Sequence, residues 1–365
     1  MLAQGGAGAA GAGAAGASSG GGGAAGNAGS GGGPIDCAAA TTPPDAACGD
    51  LAWSKSATVS RLRNHHTTHA LTTPAGAFLY VLGGYDAKGG TQKLVDRAPI
   101  AEDGSLGAFV DDTPLPLPLA GHVSAVVGKA FVVAGGMSSG NSAATYVAPR
   151  NDDGTIGAWV KGNPLPHPRM HGGAFVSGND VYVMGGFSGN SVWNDIVRAT
   201  LQSDGTLSDW APAGTLPGPR SHFTVTLLDG YAYFTGGLDK SALTDPPNLK
   251  VVTRAHLLSD GTLGEWTDLT PLPGGLATHA AFFYGGHLYV GGGIDDAPMQ
   301  SKVIYRAALA ADHTIGAWEK AAELPTARSH VHQFPVLNGH VYSVAGSIDF
   351  NLNSTAEIAL GAFGP

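Results

Sequence analysis

The stretch HGGAFVSGNDVYVMGG, from His171 to Gly186, decides the fold. Two short apolar runs, 171–177 and 180–186, are separated by turn residues, and the second run ends in a pair of glycines. Two more runs follow at 193–201 and 207–212, the last carrying Trp210. Four short alternating runs between turn residues predict a four-stranded antiparallel unit, with strands A to D in chain order.

The unit recurs along the chain. Glycine pairs close apolar runs at Gly83-Gly84, Gly135-Gly136, Gly185-Gly186, Gly236-Gly237 and Gly292-Gly293, and Ala345-Gly346 is a degenerate sixth. A histidine stands upstream of each: His65, His122, His171, His222, His279 and His330. After each glycine pair comes a turn and then an aromatic residue. These are Asp103-Gly104 with Phe109, Asp153-Gly154 with Trp159, Asp204-Gly205 with Trp210, Asp260-Gly261 with Trp266, and Asp312-His313 with Trp318. Both Asp and Gly accept the positive φ that a tight turn from C to D requires. A Leu-Pro pair follows, from Leu115-Pro116 to Leu324-Pro325.

A period of about fifty residues closed by Gly-Gly resembles the kelch-repeat family, and the resemblance covers residues 51–365. It implies an all-β, six-bladed kelch-type β-propeller related to the galactose oxidase type. The glycines then end strand B where neighbouring backbones crowd together. The Trp of each strand D packs between blades. The last unit has strands A (330–336), B (340–345) and C (354–360), then the chain ends. Residues 50–56, with Trp53, supply its missing strand D, so the last blade is closed by an N-terminal strand and no sheet edge is left open.

Composition excludes several classes. The chain has 365 residues, 57 of them Gly, only 13 % charged residues and a formal charge of −9, which argues against a nucleic-acid partner. No apolar run is long enough for a transmembrane segment. Residues 1–33 hold 15 Gly and 11 Ala, with no charge and no aromatic, so residues 1–50 are expected to be a disordered tether. The segment lacks the basic and Leu-rich regions of a signal peptide. The tether still suggests an extracytoplasmic or cell-surface, lipoprotein-like protein. Cys37 and Cys48 could form a small disulfide loop or stay as two thiols.

In this topology the D-to-A and B-to-C loops share one face, around the axial channel, and kelch proteins bind partners there. Four D-to-A loops place an Arg two residues before the histidine: Arg63, Arg169, Arg220 and Arg328. The other two read Ala120-Gly121-His122 and Ala277-Thr278-His279, with a small residue at that place. Four guanidiniums at a channel mouth could offer bidentate contacts to an anion. The B-to-C loops add Tyr85, Asp86, Phe187, Asn190, Trp193, Asp239, Asp295, Asp296, Asp349 and Phe350, a mixture suited to a protein or glycan ligand. The six histidines repeat in every blade, as structural residues do, so neither a metal nor any other cofactor is expected.

Enzymatic relatives carry chemistry that this chain lacks. The propeller has no Cys for the Tyr–Cys copper site of galactose oxidase, and no Glu-x-x-x-Asp-x-x-x-His iron motif of the nitrile-specifier type. The expectation is a non-enzymatic, monomeric binding module. The alternative is an isomerase or lyase acting on an acidic sugar, as N-acetylneuraminate epimerase does. It requires a carboxylate within proton-transfer reach of the arginines.

Overall fold

The structure, a computed structural model, describes residues 50–240, 248–349 and 351–364. The expected tether, apart from Asp50, lies outside the described residues, as do Cys37, Cys48 and Phe350. Every regular element among the described residues is a strand. No helix is long and apolar enough to cross a membrane.

Six four-stranded antiparallel sheets form the blades of a propeller. Blade three runs Gly173–Ser177, Asp180–Met184, Asp195–Thr200 and Ala211–Thr215. Strands A to C fall inside the expected spans, but strand D begins later, because the C-to-D turn occupies the residues up to Trp210. The Trp210 indole is turned onto blade two, where its N–H donates to the Asn163 carbonyl at 3.1 Å. Trp159, Trp266 and Trp318 donate in the same way to the Thr113, Thr215 and Thr270 carbonyls of the preceding blade. The tryptophans therefore pack between blades, as expected.

Blade six takes Val336–Leu337, His340–Val344 and Glu357–Phe363 from the C-terminus and Leu51–Thr58 from the N-terminus. The N-terminal strand pairs antiparallel with the last one, from Leu51 opposite Phe363 to Thr58 opposite Glu357. The inner strand of this blade departs from expectation. Residues 330–335 are irregular and only 336–337 are extended, because His332, two residues past the ring position, holds a positive φ of 49° where the other blades have already entered the strand.

The hydrophobic core is a set of layers between blades. One layer joins Phe175, Tyr182 and Met184 of blade three to Phe223, Val225 and Phe234 of blade four. A second joins Tyr80 of blade one to Phe131 and Val133 of blade two.

Two rings of main-chain hydrogen bonds hold the blades around the axis. In the first, Gly121 N–H donates to His65, His171 to Gly121, His222 to His171, Thr278 to His222, His330 to Thr278, and His65 to His330, at 2.8–3.2 Å. All six donors have φ between 53° and 60°. In the second, the second residue of each Gly-Gly or Ala-Gly pair donates to the next blade. Gly84 reaches Leu119, Gly136 reaches Arg169, Gly186 reaches Arg220, Gly237 reaches Leu276, Gly293 reaches Arg328 and Gly346 reaches Arg63, at 2.7–3.0 Å. Gly237 shows why the residue is fixed. Its φ is +88°, and a Cβ would stand 2.6 Å from the Ser221 carbonyl oxygen of its own blade.

These rings correct the alignment of the repeats. The equivalent positions are His65, Gly121, His171, His222, Thr278 and His330, so His122 and His279 lie one residue past the ring. Their side chains point elsewhere: His122 Nε2 meets Thr67 Oγ1 at 3.0 Å and His279 Nε2 meets Thr235 Oγ1 at 2.8 Å. The C-to-D turns are corrected in detail too. Positive φ is confined to the second position (Gly104, Gly154, Gly205, Gly261 and His313), while the Asp side chain caps the turn. Asp153 Oδ1, for example, accepts from the Thr155 N–H and Oγ at 2.9 and 2.7 Å.

Candidate functional site

The expected mouth arginines are mostly buried. Arg63, Arg169 and Arg328 are 1 %, 1 % and 0 % exposed. Arg169 makes a bidentate pair with Asp195 at 2.8 and 2.6 Å. Arg63 pairs with Asp96, and Arg328 with Glu357. Each also donates to the carbonyl of the first residue of the glycine pair in its own blade: Gly83, Gly185 and Ala345. Burial pulls the Arg63 and Arg328 guanidiniums below their ordinary range, and their carboxylate partners oppose that shift. Such pairs are internal struts that leave no guanidinium edge for a ligand.

The corrected register also changes the other two blades. The Arg position holds Leu119 and Leu276, both buried, instead of the small residues expected there. Asp96, Asp195 and Glu357, the carboxylates next to these arginines, are held in the ion pairs, in three separate blades.

Arg220 differs from the other three. In blade four the place of Asp195 is taken by Val251: the first glycine of the pair donates its N–H to the Asp195 carbonyl in blade three and to the Val251 carbonyl in blade four. Among the described residues no carboxylate forms an ion pair with Arg220. Its guanidinium lies over the Phe234 ring at 5.4 Å, half-buried, with Nε unpartnered. Burial lowers its pKa, opposed by the Asp239 charge.

The B-to-C loop residues divide by role. Asp86, Asp295 and Asp349 cap their own loops, accepting from the N–H four residues on at 2.9, 3.1 and 3.1 Å. Asp296 accepts from the Asn248 and Gly275 N–H groups and ties two loops together. Trp193 stacks on His167 at 4.2 Å, and its indole N–H donates to the Pro168 carbonyl. Asn190 and Asp239 are exposed. Tyr85 and Phe187 turn inward: Tyr85 meets His65 edge-on at 5.0 Å, and Phe187 stacks over His171 and His222 at 5.8 and 5.3 Å.

Beneath them the ring histidines fill the axis. His65 stacks on His330 at 4.0 Å, His171 on His222 at 4.1 Å, and His65 meets His171 at 4.9 Å. His332, thrown inward by the irregular segment of blade six, reaches His171 at 5.1 Å. Burial holds His65, His171 and His330 well below the ordinary imidazole pKa, His222 at about 3 and His332 at about 4, so all five are neutral at pH 7. Among the described residues no group of three or more His, Cys, Asp or Glu is placed to hold a metal ion.

The D-to-A and B-to-C face carries exposed apolar side chains that the sequence does not announce. Seven large apolar residues are exposed among those described. Four of them, Leu62, Met299, Ile348 and Leu352, lie on the D-to-A and B-to-C loops of blades five, six and one. Leu352 holds a φ of 62°, and its carbonyl accepts from Asn64 Nδ2 at 2.9 Å, which locks the blade-six loop to the blade-one loop. The missed signal is an apolar side chain inside loops otherwise built of Asp, Asn, Ser and Gly.

The KLHDC2/KLHL20/DRC7 Kelch-repeats domain model matches residues 121–346, more than half of the chain. The chain belongs to this Kelch-repeat family. The solved structure described as "Structure of YjhT" superposes with a TM-score of 0.66 over 84 % of this chain and 96 % of that one, at 15 % identity, which is a likeness of fold. No curated protein matches the chain in sequence. The Kelch propeller supports a binding module in general terms.

Proposed function

We propose that this Kelch propeller is a protein-binding module whose contact surface is the D-to-A and B-to-C face of blades five, six and one. The observation that carries the reading is the exposure of Leu62, Met299, Ile348 and Leu352 on the loops there. Isolated exposed apolar residues are ordinary, but several on neighbouring loops of one face, two of them tied by Asn64 and Leu352, suit an interaction surface. Asp295 and Asp349 beside them are occupied in capping their own loops, and Arg63 and Arg328 are occupied in struts. Apolar contact therefore leads, and the exposed Arg61 and Asp239 supply a polar rim.

Random-peptide display against the full chain tests this. Selected peptides should carry apolar anchors, and Leu62→Asp or Leu352→Asp should weaken them at least tenfold with an unchanged circular dichroism spectrum. Peptides insensitive to both substitutions would refute the reading. So would a glycan array that gives saturable binding where the peptide library gives none.

A further inference from the structure

A second feature lies at the boundary between blades two and three, at the other end of the blades from the D-to-A and B-to-C loops. The strand-B residue three places before the Gly-Gly or Ala-Gly pair is Tyr80, Tyr182, Tyr233, Tyr289 or Tyr342 in five blades. In blade two it is Val132. The strand-C residue opposite the tyrosine is Arg97, Arg198, Arg254 or Arg306 in blades one, three, four and five. Opposite Val132 it is Val147. Blade two therefore lacks both the phenol ring and the guanidinium.

Elsewhere the tyrosine hydroxyl donates to the carbonyl at the second position of the next blade's C-to-D turn. Tyr80 reaches Gly154, Tyr182 reaches Gly261, Tyr233 reaches His313 and Tyr342 reaches Gly104, at 2.7–3.0 Å. The blade-three turn has the same build. Gly205 holds a φ of 83°, as Gly154 does, and Asp204 Oδ1 accepts from the Thr206 N–H and Oγ at 2.9 and 2.7 Å. Its surroundings differ. A Cβ on Gly261 would overlap the Arg198 guanidinium and stand 3.2 Å from the Tyr182 hydroxyl, whereas one on Gly205 would meet nothing within 4 Å. Gly104 and Gly154 are buried, and Gly205 is exposed.

The space left by the missing pair is a cavity of about 260 Å³. Val147, Val160 and Lys161 of blade two and Gly205, Thr206 and Leu207 of blade three line it. Three aliphatic side chains make walls for a flat ring, and the Gly205 carbonyl is an acceptor within reach of solvent. Among the described residues no side chain donates to that carbonyl. A cavity of ~150 Å³ already holds a benzene, so this one has room for a substituted ring.

We propose that this cavity binds a neutral single-ring phenol, free or as the tyrosine side chain of a partner protein. The ring lies against Val147, Val160 and Leu207, and the hydroxyl donates to the Gly205 carbonyl. The chain itself specifies this chemistry, because it sets a phenol in the same relation to the same turn carbonyl at four other boundaries. Such a ring buries aliphatic surface while its hydroxyl satisfies the one acceptor. The site is separate from the face of blades five, six and one, so each reading stands or falls alone.

The test titrates the full chain at pH 7 with p-cresol, followed by heteronuclear NMR and calorimetry. Toluene is the ring without the hydroxyl, and cyclohexanol the hydroxyl without the aromatic ring. p-Cresol should saturate at one per chain, show nuclear Overhauser contacts to the Val160 methyls, and bind at least tenfold more tightly than either control. Competition by N-acetyl-L-tyrosinamide would assign the ring to a partner's tyrosine, and p-cresol binding without that competition would assign it to free phenols. Val132→Tyr supplies the chain's own ring and should weaken p-cresol at least tenfold. Should Val132→Tyr fail to fold, Val147→Arg, which fills the same space, carries the comparison. No saturation by p-cresol, equal binding of toluene, contacts that bypass Val160, or binding untouched by a folded Val132→Tyr would overturn the proposal.

Discussion

The main-chain N–H of His65, the first ring residue, donates to the carbonyl of His330, the last, at 3.1 Å. Residues 265 positions apart thereby complete the axial ring, and the outer closure of Leu51–Thr58 on Glu357–Phe363 does the same at the rim. Neither closure is local in sequence, so stability should depend steeply on the short N-terminal strand.

Deleting residues 1–48 should leave the melting temperature nearly unchanged. Deleting through Ala57 strips the strand from Glu357–Phe363, opens a sheet edge and frees Glu357 from Lys55. That truncation should unfold the domain or drive it to oligomers, as read by calorimetry and light scattering. Equal melting of the two truncations would show that the blade closes some other way.

Removing a strut should be more damaging than removing Arg220. Arg63→Ala removes the nearest cation from the fully buried Asp96, and losing one member of a buried pair costs about 3–5 kcal/mol. Arg169→Ala and Arg328→Ala should cost less than that but more than Arg220→Ala, because Asp195 is 28 % exposed and Glu357 keeps Lys55. Arg220→Ala loses a contact over Phe234 worth about 0.5–1 kcal/mol. Urea midpoints should separate the two classes clearly, and a uniform loss across all four would contradict the strut assignment.

Acid should unfold the propeller early. His69 and His332 titrate at about 4, and His122, His222 and His279 at about 3, because burial disfavours the imidazolium. An unfolded imidazole titrates near ~6.5, so between the two values the unfolded chain binds more protons. The stabilisation is complete above ~pH 6.5 and falls as the pH drops toward 4 and 3. Arg63 adds to the penalty at His66. The melting temperature should be flat from pH 7 to 8 and decline steadily below 6.5, and a flat profile down to pH 5 would mean that these rings are solvated.

A tyrosine hydroxyl links most neighbouring blades. Tyr80 donates to the Gly154 carbonyl at 2.7 Å, Tyr182 to Gly261, Tyr233 to His313 and Tyr342 to Gly104. In blade two the same strand-B place holds Val132, and nothing lies within 4 Å of where a Gly205 Cβ would stand. Tyr80→Phe and Tyr342→Phe should each cost about 1 kcal/mol. Val132→Tyr should be neutral or stabilising by denaturant titration. A loss of more than about 1 kcal/mol would show that the blade-two boundary has no room for the link.

The blade count, the N-terminal closure and the interblade tryptophans were legible in the sequence, because Gly-Gly, Asp-Gly and the D-strand Trp are each demanded by chemistry within a few residues. At His122 and His279 the residue type does not mark the ring, because the ring position is defined by backbone conformation and not by the imidazole. Fifteen residues separate Gly121, His171, His222 and Thr278 from the second glycine of their blades, a constant spacing that marks the true register. The ring selects a positive φ and a main-chain bond, and His, Gly and Thr all supply those.

The sequence by itself determined the repeat, its strands and its turns, since these rest on local conformational preference and alternation. Only the tertiary structure decided what the repeated polar residues do. An Arg two places before the ring residue is a strut in blades one, three and six, where Asp96, Asp195 or Glu357 stands beside it. It is left without an ion pair among the described residues in blade four, where Val251 takes that place. Those partners lie about thirty residues away, and the five axial imidazoles come from four blades. Whether a charge is spent internally or offered to a ligand depends on contacts that exist only after the ring has closed.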